Sequence, residues 1–152
     1  MKKIFFKNLL VFLMCSLVFC GCVNTKDTGV LVNGMSIYDV IEIEKSGDVV
    51  AVYEIKFCKN ENGDSVIGYL GEDNILTGLK VYRKAEPTPR NFSKIKLGMS
   101  IYEVVKYIGI PKPQILSAFG VEYRLTDGTG YTLLLHGEGE NVVVTCISRH
   151  PD

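Results

Sequence analysis

Hydrophobic residues recur at two different spacings along this chain. Between Ile101 and Ile108 they follow helical spacing, and Gly109 and Pro111 are placed to end the helix. A matching pattern begins near Ile37 and ends at residues 46–47. The sequence therefore predicts two helices, one in each half of the chain.

After each helix the spacing becomes that of strands, with β-branched and aromatic runs separated by clusters of Gly, Asn and Asp. The predicted strands are 49–57, 66–70 and 75–82 in the first half, and 121–125, 131–136 and 142–147 in the second. Short polar turns between consecutive runs favour antiparallel pairing. We therefore expect two three-stranded antiparallel meanders.

A short sequence motif occurs twice. Residues 34–40 (GMSIYDV) and 98–104 (GMSIYEV) are identical at six of seven positions. In each copy a serine can cap a helix, and an acid three residues later can complete a capping box: Ser36 with Asp39, and Ser100 with Glu103. The repeat indicates that one supersecondary unit is used twice.

The fold class predicted is α+β, with two tandem repeats of a helix and a three-stranded antiparallel meander. The first repeat spans 31–84 and the second 95–152, and residues 85–94 form a linker. Pro87 and Pro89 favour an extended chain there. Whether the two sheets join into one six-stranded surface is left open by the sequence.

The N-terminus is typical of an export signal. Lys2, Lys3 and Lys7 precede an uncharged apolar run, which is shorter than the roughly 20 residues needed to cross a bilayer. The end of the run, VFCGC at 18–22, resembles the lipobox of bacterial lipoproteins. This resemblance implies a signal peptide at 1–21, lipidation of Cys22 and a tether at 22–30. It also implies anchoring in the cell membrane or outer membrane, outside the cytoplasm.

Two other cysteines near the cleavage point are weaker candidates for lipidation. Cys15 and Cys20 follow the bulky residues Met14 and Phe19, whereas Cys22 follows Gly21. An ordinary signal peptide, cleaved without lipidation, is the alternative. Lipid on Cys22 would give stable anchoring, since each buried methylene contributes about 0.8 kcal/mol.

Composition excludes several classes of function. Removing residues 1–21 takes away three lysines and no acid, which leaves 14 basic and 17 acidic residues and a formal charge near −3. A nucleic-acid binder would need a basic face, and the sequence shows none, so nucleic acid is not expected as a partner. His136 and His150 lack companions at ligand spacing, so neither a metal site nor another cofactor is expected. Cys58 and Cys146 could form a disulfide outside the cytoplasm or remain free.

The second motif extends into a recognisable signature. Residues 95–111 (IKLGMSIYEVVKYIGIP) resemble the signature of the small outer-membrane lipoprotein A (SmpA/OmlA-like) domain. In that domain the signature is followed by a β-meander. That domain belongs to the structural group of the β-lactamase inhibitory protein (BLIP-like), built from two tandem helix-and-sheet repeats. The resemblance implies a protein-binding scaffold. The matched positions determine the fold of that domain, so the resemblance does not identify any residue of this chain that contacts a partner.

Tyrosine supplies the candidate binding residues, because it buries a large area with little loss of rotamer entropy. The candidates are Tyr53, Tyr69, Tyr123 and Tyr131, all in predicted strands. We expect a non-catalytic protein-binding lipoprotein of the cell envelope, whose partner is an envelope or extracellular protein. The alternative is an envelope hydrolase, or an enzyme-inhibitor protein that uses the concave surface of the sheets.

Overall fold

The computed structural model describes residues 28–112 and 120–150 as an α+β protein with two antiparallel sheets. In chain order its elements are α1 (Ile37–Ser46), β1 (Val49–Val52), β2 (Ile55–Lys59), β3 (Ser65–Leu70), β4 (Leu76–Tyr82), α2 (Pro89–Phe92), α3 (Ile101–Ile108), β5 (Gly120–Arg124), β6 (Gly130–His136), a 3₁₀ turn (Gly139–Asn141) and β7 (Val143–Arg149). The predicted mixed fold class is confirmed at this level.

Sheet 1 contains four strands in the order β1-β2-β3-β4, and the sequence predicted three. The predicted strand 49–57 is in fact a tight hairpin in which Val52 pairs with Ile55. Tyr53 forms the turn with φ of 55°. A bulky residue rarely adopts this conformation, so a tyrosine within an apolar run is not expected to form a turn.

Sheet 2 contains three strands in the order β5-β6-β7, as the sequence predicted. Tyr123 pairs with Tyr131, and Tyr131 pairs with Arg149. A bulge in the β6–β7 pairing lies between Leu134 and Leu135. Within the described residues the two sheets are separate, so they do not form one six-stranded surface.

Both predicted capping boxes are present. The Ser36 hydroxyl accepts from the Asp39 N–H, and the Asp39 carboxylate accepts from the Ser36 N–H. The Ser100 and Glu103 pair makes the same two hydrogen bonds. Each cap satisfies amide groups that have no partner inside the helix.

Each helix start is hydrogen-bonded to a strand of the sheet that follows it. The Gly34 N–H donates to the Leu76 carbonyl at 2.8 Å, and the Gly98 N–H donates to the Val144 carbonyl at 2.8 Å. The Leu76 N–H returns a bond of 2.8 Å to the Met35 carbonyl. In the second copy the Val144 N–H donates to the Met99 carbonyl at 2.9 Å. The two motifs therefore dock on β4 and β7 in the same way.

Two hydrophobic cores hold the layers together. The smaller core lies between α1 and one face of sheet 1 and includes Leu31, Val40 and Leu76. The larger core joins the other face of sheet 1 to α3 and to sheet 2, with Phe57 fully buried in it. Burying a side chain of this size stabilises the fold by roughly 1.5–3 kcal/mol. Sheet 1 is thus covered on both faces.

The two cysteines of the described chain are free. Cys58 is buried, and its Sγ lies 3.4 Å from the Thr28 carbonyl oxygen. Burial raises the pKa of this thiol. Cys146 is exposed on β7, so the disulfide that the sequence left open is not formed.

Candidate binding cleft between the two sheets

A cleft of about 530 Å³ lies where the β1–β2 hairpin meets the connection between β6 and β7. We call it the tyrosine cleft. Its apolar lining comes from Val52, Ile55, Leu135 and Val142, and its polar lining from Tyr53, Glu54, His136, Glu138 and Asn141. Both sheets therefore contribute to one site.

One wall of the tyrosine cleft depends on a close backbone contact. Gly137 has φ of 119°, and any Cβ at this position would clash with the Asn141 carbonyl oxygen. Only glycine therefore lets the chain turn tightly from His136 into the 3₁₀ turn. The turn in this way brings Glu138 to the cleft.

Tyr69 lies beside the 3₁₀ turn, between a glycine of β4 and a glycine of that turn. A Cβ on Gly78 of β4 would overlap the Tyr69 ring, and a Cβ on Gly139 would lie 3.1 Å from it. Both glycines have positive φ. The ring thus fills the space between β4 and the 3₁₀ turn. A Lys80–Glu140 ion pair of 3.6 Å links the same two elements.

The structure places the four candidate tyrosines in different environments. Tyr53 is 54% exposed at the hairpin turn, and Tyr69 is half-buried between the two glycines. Tyr131 is half-buried and stacks on Phe92 with ring centroids 4.1 Å apart. Tyr123 is only 2% exposed, and its hydroxyl donates to the Gly109 carbonyl at 3.0 Å. Tyr123 is therefore a core residue, and Tyr53 is the candidate that reaches solvent at the tyrosine cleft.

Three ionisable residues of the tyrosine cleft were absent from the sequence-based candidates. Glu54 lies in the hairpin turn, whereas His136 and Glu138 lie more than 80 positions later in the sequence. No motif joins residues so far apart, so only the packing of the two sheets reveals the group. Apolar walls with two carboxylates at the edge suit an apolar side chain that is accompanied by a cation.

A second polar group tests the hydrolase alternative. On the outer face of sheet 2, the Thr132 hydroxyl lies 2.7 Å from His150 Nε2, and a Glu122 carboxylate oxygen lies 3.7 Å from the same nitrogen. A nucleophile–histidine–acid triad needs the two partners on different ring nitrogens. The group therefore lacks the geometry for proton relay.

The described residues contain no cluster of three or more His, Cys, Asp or Glu side chains able to hold a metal ion. They also contain no helix with the length and hydrophobicity to cross a membrane. Cys22 and the predicted signal peptide lie outside the described residues. Their assignment continues to depend on the sequence.

Comparison with known proteins gives no relative for this chain. It matches no family model, no curated protein and no solved structure.

Proposed function

We propose that this chain is a lipoprotein of the cell envelope, anchored through lipid on Cys22, and that it binds another protein without catalysis. The observation that carries the binding proposal is Tyr53, which is more than half exposed at the turn of a two-stranded hairpin, beside the tyrosine cleft. The export and anchoring part is supported by the lipobox-like sequence at 18–22.

Backbone strain at Tyr53 supports a functional use of that side chain. A non-glycine residue held in the left-handed region costs of order 1–3 kcal/mol, and such costs concentrate at functional sites. The turn also fixes the direction in which the Tyr53 side chain leaves the backbone. Tyrosine has only two side-chain torsions to restrict, so it loses little entropy on binding and suits a protein interface.

We further propose that the fold consists of two tandem copies of one helix-and-meander unit, as in the BLIP-like group. The matched hydrogen bonds from Gly34 and Gly98 to the last strand of each sheet support this proposal. The additional strand of sheet 1 arises from the turn at Tyr53, which interrupts one run of the first unit. A break of this kind leaves the rest of the unit unchanged.

Anchoring is tested by metabolic labelling with a radioactive fatty acid in the cells that make the protein. The wild-type chain should incorporate label, and Cys22→Ala should abolish it. Cys20→Ala serves as the control and should leave labelling intact. Continued labelling of the Cys22→Ala chain would overturn the assignment.

Binding is tested by affinity capture of envelope proteins on the fragment from Thr25 onward, which contains all of the described residues. Asparagine tolerates positive φ, so Tyr53→Asn removes the ring and preserves the turn. If Tyr53 is a hot spot, this substitution should weaken binding to a captured protein by about 30-fold.

Tyr38→Asn is the matched control, since Tyr38 is 79% exposed on α1 and does not line the tyrosine cleft. It should change the affinity for the captured protein less than twofold. Equal losses in the two variants would refute the role of the cleft. Failure to capture any protein reproducibly would refute the binding proposal itself.

A further inference from the structure

A larger cleft of about 720 Å³ lies at the other end of the sheets, and its rim is basic. We call it the basic cleft. Four cationic side chains line it: Lys59 and Lys84 from the first half of the chain, and Lys112 and Arg124 from the second. The carboxylates of the lining are Asp48 and Glu86. The lining therefore carries a net charge of about +2, although the mature chain is acidic overall.

Tight backbone contacts form one wall of the basic cleft. A Cβ on Gly109, at the end of α3, would lie 2.7 Å from the Ala85 carbonyl oxygen, so the linker passes directly against the helix end. The Thr126 N–H donates to the Pro87 carbonyl at 3.1 Å and fixes the linker to the β5–β6 turn. The wall is thus held by backbone contacts on both sides.

The four cations form no ion pair within the described part of the chain. The ion pairs found there join Lys45 with Glu42, Lys56 with Glu44, Lys80 with Glu140, and His150 with Glu122. None of them includes a cation of the basic cleft. All four side chains are exposed at the rim, so they can turn toward an anion without breaking an existing pair.

The N-terminal end of the described chain leaves the fold beside this cleft. Gly29 packs so closely on the end of β2 that a Cβ there would lie 2.8 Å from the Lys59 carbonyl oxygen. Thr28 is buried, and Val30 is an exposed apolar residue in the lining of the cleft. The predicted tether from Cys22 therefore joins the fold next to one of the four cations.

The geometry points to a membrane ligand. We propose that the basic cleft binds the phosphate headgroups of anionic phospholipids in the membrane that carries the lipid anchor. This inference rests on the proposed lipidation of Cys22. Five residues lie between Cys22 and Thr28, which makes six residue steps, so the tether reaches at most roughly 21 Å. The cations at the exit of the tether are thus held close to the headgroup layer, and Val30 offers an apolar contact there.

Vesicle co-sedimentation tests the proposal. The protein is the mature chain, residues 22–152, with Cys22→Ser, so lipidation cannot contribute to binding. Vesicles of phosphatidylcholine alone are compared with vesicles that contain about 30% phosphatidylglycerol, at low salt. The expected result is at least about 25-fold stronger partitioning onto the anionic vesicles, because a net charge of about +2 acts near the surface and each charge contributes about fivefold.

Paired neutralising substitutions locate the binding surface. Lys84→Gln with Lys112→Gln should weaken partitioning by about 25-fold, since each basic residue near an anionic surface contributes about fivefold. Lys96→Gln with Lys106→Gln changes the net charge equally, but both residues are exposed outside the cleft. The control should lose less than about threefold.

Three outcomes would overturn the proposal. The first is equal partitioning onto neutral and anionic vesicles, and the second is an equal loss in the two double variants. The third is displacement by inorganic phosphate beyond that caused by chloride of the same ionic strength, which would identify a pocket for free phosphate. The fatty-acid labelling of Cys22 is a separate measurement, so failure of the anchor and failure of the basic cleft are distinguishable.

Discussion

A buried ion pair between α1 and sheet 1 gives the sharpest test of the fold. Lys56 Nζ lies 2.6 Å from Glu44 Oε1, with the lysine side chain 7% exposed and the glutamate side chain 26% exposed. Within the described residues Lys56 is the partner of this glutamate oxygen, and no other hydrogen bond reaches it. Glu44→Gln should therefore leave the buried Lys56 charge without compensation.

The magnitude follows from the burial of the two side chains. Removal of one partner of a fully buried pair costs roughly 3–5 kcal/mol. Because Glu44 keeps a quarter of its exposure, we place Glu44→Gln at the lower end, about 3 kcal/mol. For a domain of this size the loss corresponds to a fall in melting temperature of about 12 °C.

A second pair on the same helix provides the control. Lys45 Nζ also lies 2.6 Å from Glu42 Oε1, but the lysine side chain is 65% exposed and the glutamate side chain 72% exposed. Water and side-chain entropy offset most of such a pair, so Glu42→Gln should change the free energy of unfolding by less than about 0.5 kcal/mol. The two variants differ in burial and share the same chemistry.

Both substitutions are made in residues 22–152 with Cys22→Ser. The free energy of unfolding is measured in urea, with far-ultraviolet circular dichroism as the signal. The joint replacement Glu44→Leu with Lys56→Met should recover most of the stability, because apolar residues can replace a buried pair without leaving a charge behind. Similar effects of Glu44→Gln and Glu42→Gln would refute the reasoning. Failure of the joint replacement to recover stability would also count against it.

Three further predictions concern single residues. Burial raises the pKa of the Tyr123 hydroxyl above its value of about 10 in the unfolded chain. The free energy of unfolding therefore keeps its full value below pH 10 and falls as the pH rises above 10, because only the unfolded chain then loses this proton. Tyr123→Phe should then flatten the fall in unfolding free energy between about pH 9 and pH 11, and an unchanged slope would contradict this. Ser100→Ala removes a helix cap and should cost about 1 kcal/mol in urea unfolding, and an unchanged midpoint would exclude the cap. A thiol reagent should label exposed Cys146 rapidly in the native Cys22→Ser chain and buried Cys58 only after unfolding, and rapid labelling of both would contradict the burial of Cys58.

Local signals in the sequence were sufficient for the starts of α1 and α3 and for the strands of sheet 2, whereas α2 lies in the linker that was expected to be extended. Ser36 and Ser100, each followed three residues later by an acid, predicted both helix starts, because a capping box involves only neighbours in the chain. The three strands of sheet 2 follow from its alternating runs and Gly-rich turns. In these segments local preference and tertiary packing favour the same structure.

The break at Tyr53 could not be predicted in the same way. Valines and isoleucines surround it, and a tyrosine at φ of 55° contradicts the usual preference of the residue. The burial of Lys56 is equally hidden from local signals, since a lysine between Ile55 and Phe57 does not show that sheet 1 buries it against Glu44. Lys56 is buried because sheet 1 is covered on both faces.

The candidate sites depend on long-range packing. Tyr53 and Glu138 meet at one cleft, and Lys59 and Arg124 meet at the other, although each pair combines distant parts of the sequence. Tyr123 was a reasonable surface candidate by residue type, yet it is buried in the core and its hydroxyl donates to the Gly109 carbonyl at the end of α3. Residue type indicates what a side chain can do, and packing decides whether it is accessible.

The two clefts lie at opposite ends of the same strands, and this arrangement relates the anchor to the proposed binding site. Along β6, the end near Arg124 borders the basic cleft and His136 borders the tyrosine cleft, about 20 Å away at 3.4 Å per residue. The β1–β2 hairpin has the same polarity, with Lys59 at its open end and Tyr53 at its turn. If the basic cleft rests on the headgroups, Tyr53 faces away from the membrane. A partner could then reach the tyrosine cleft without displacing the protein from the lipid surface.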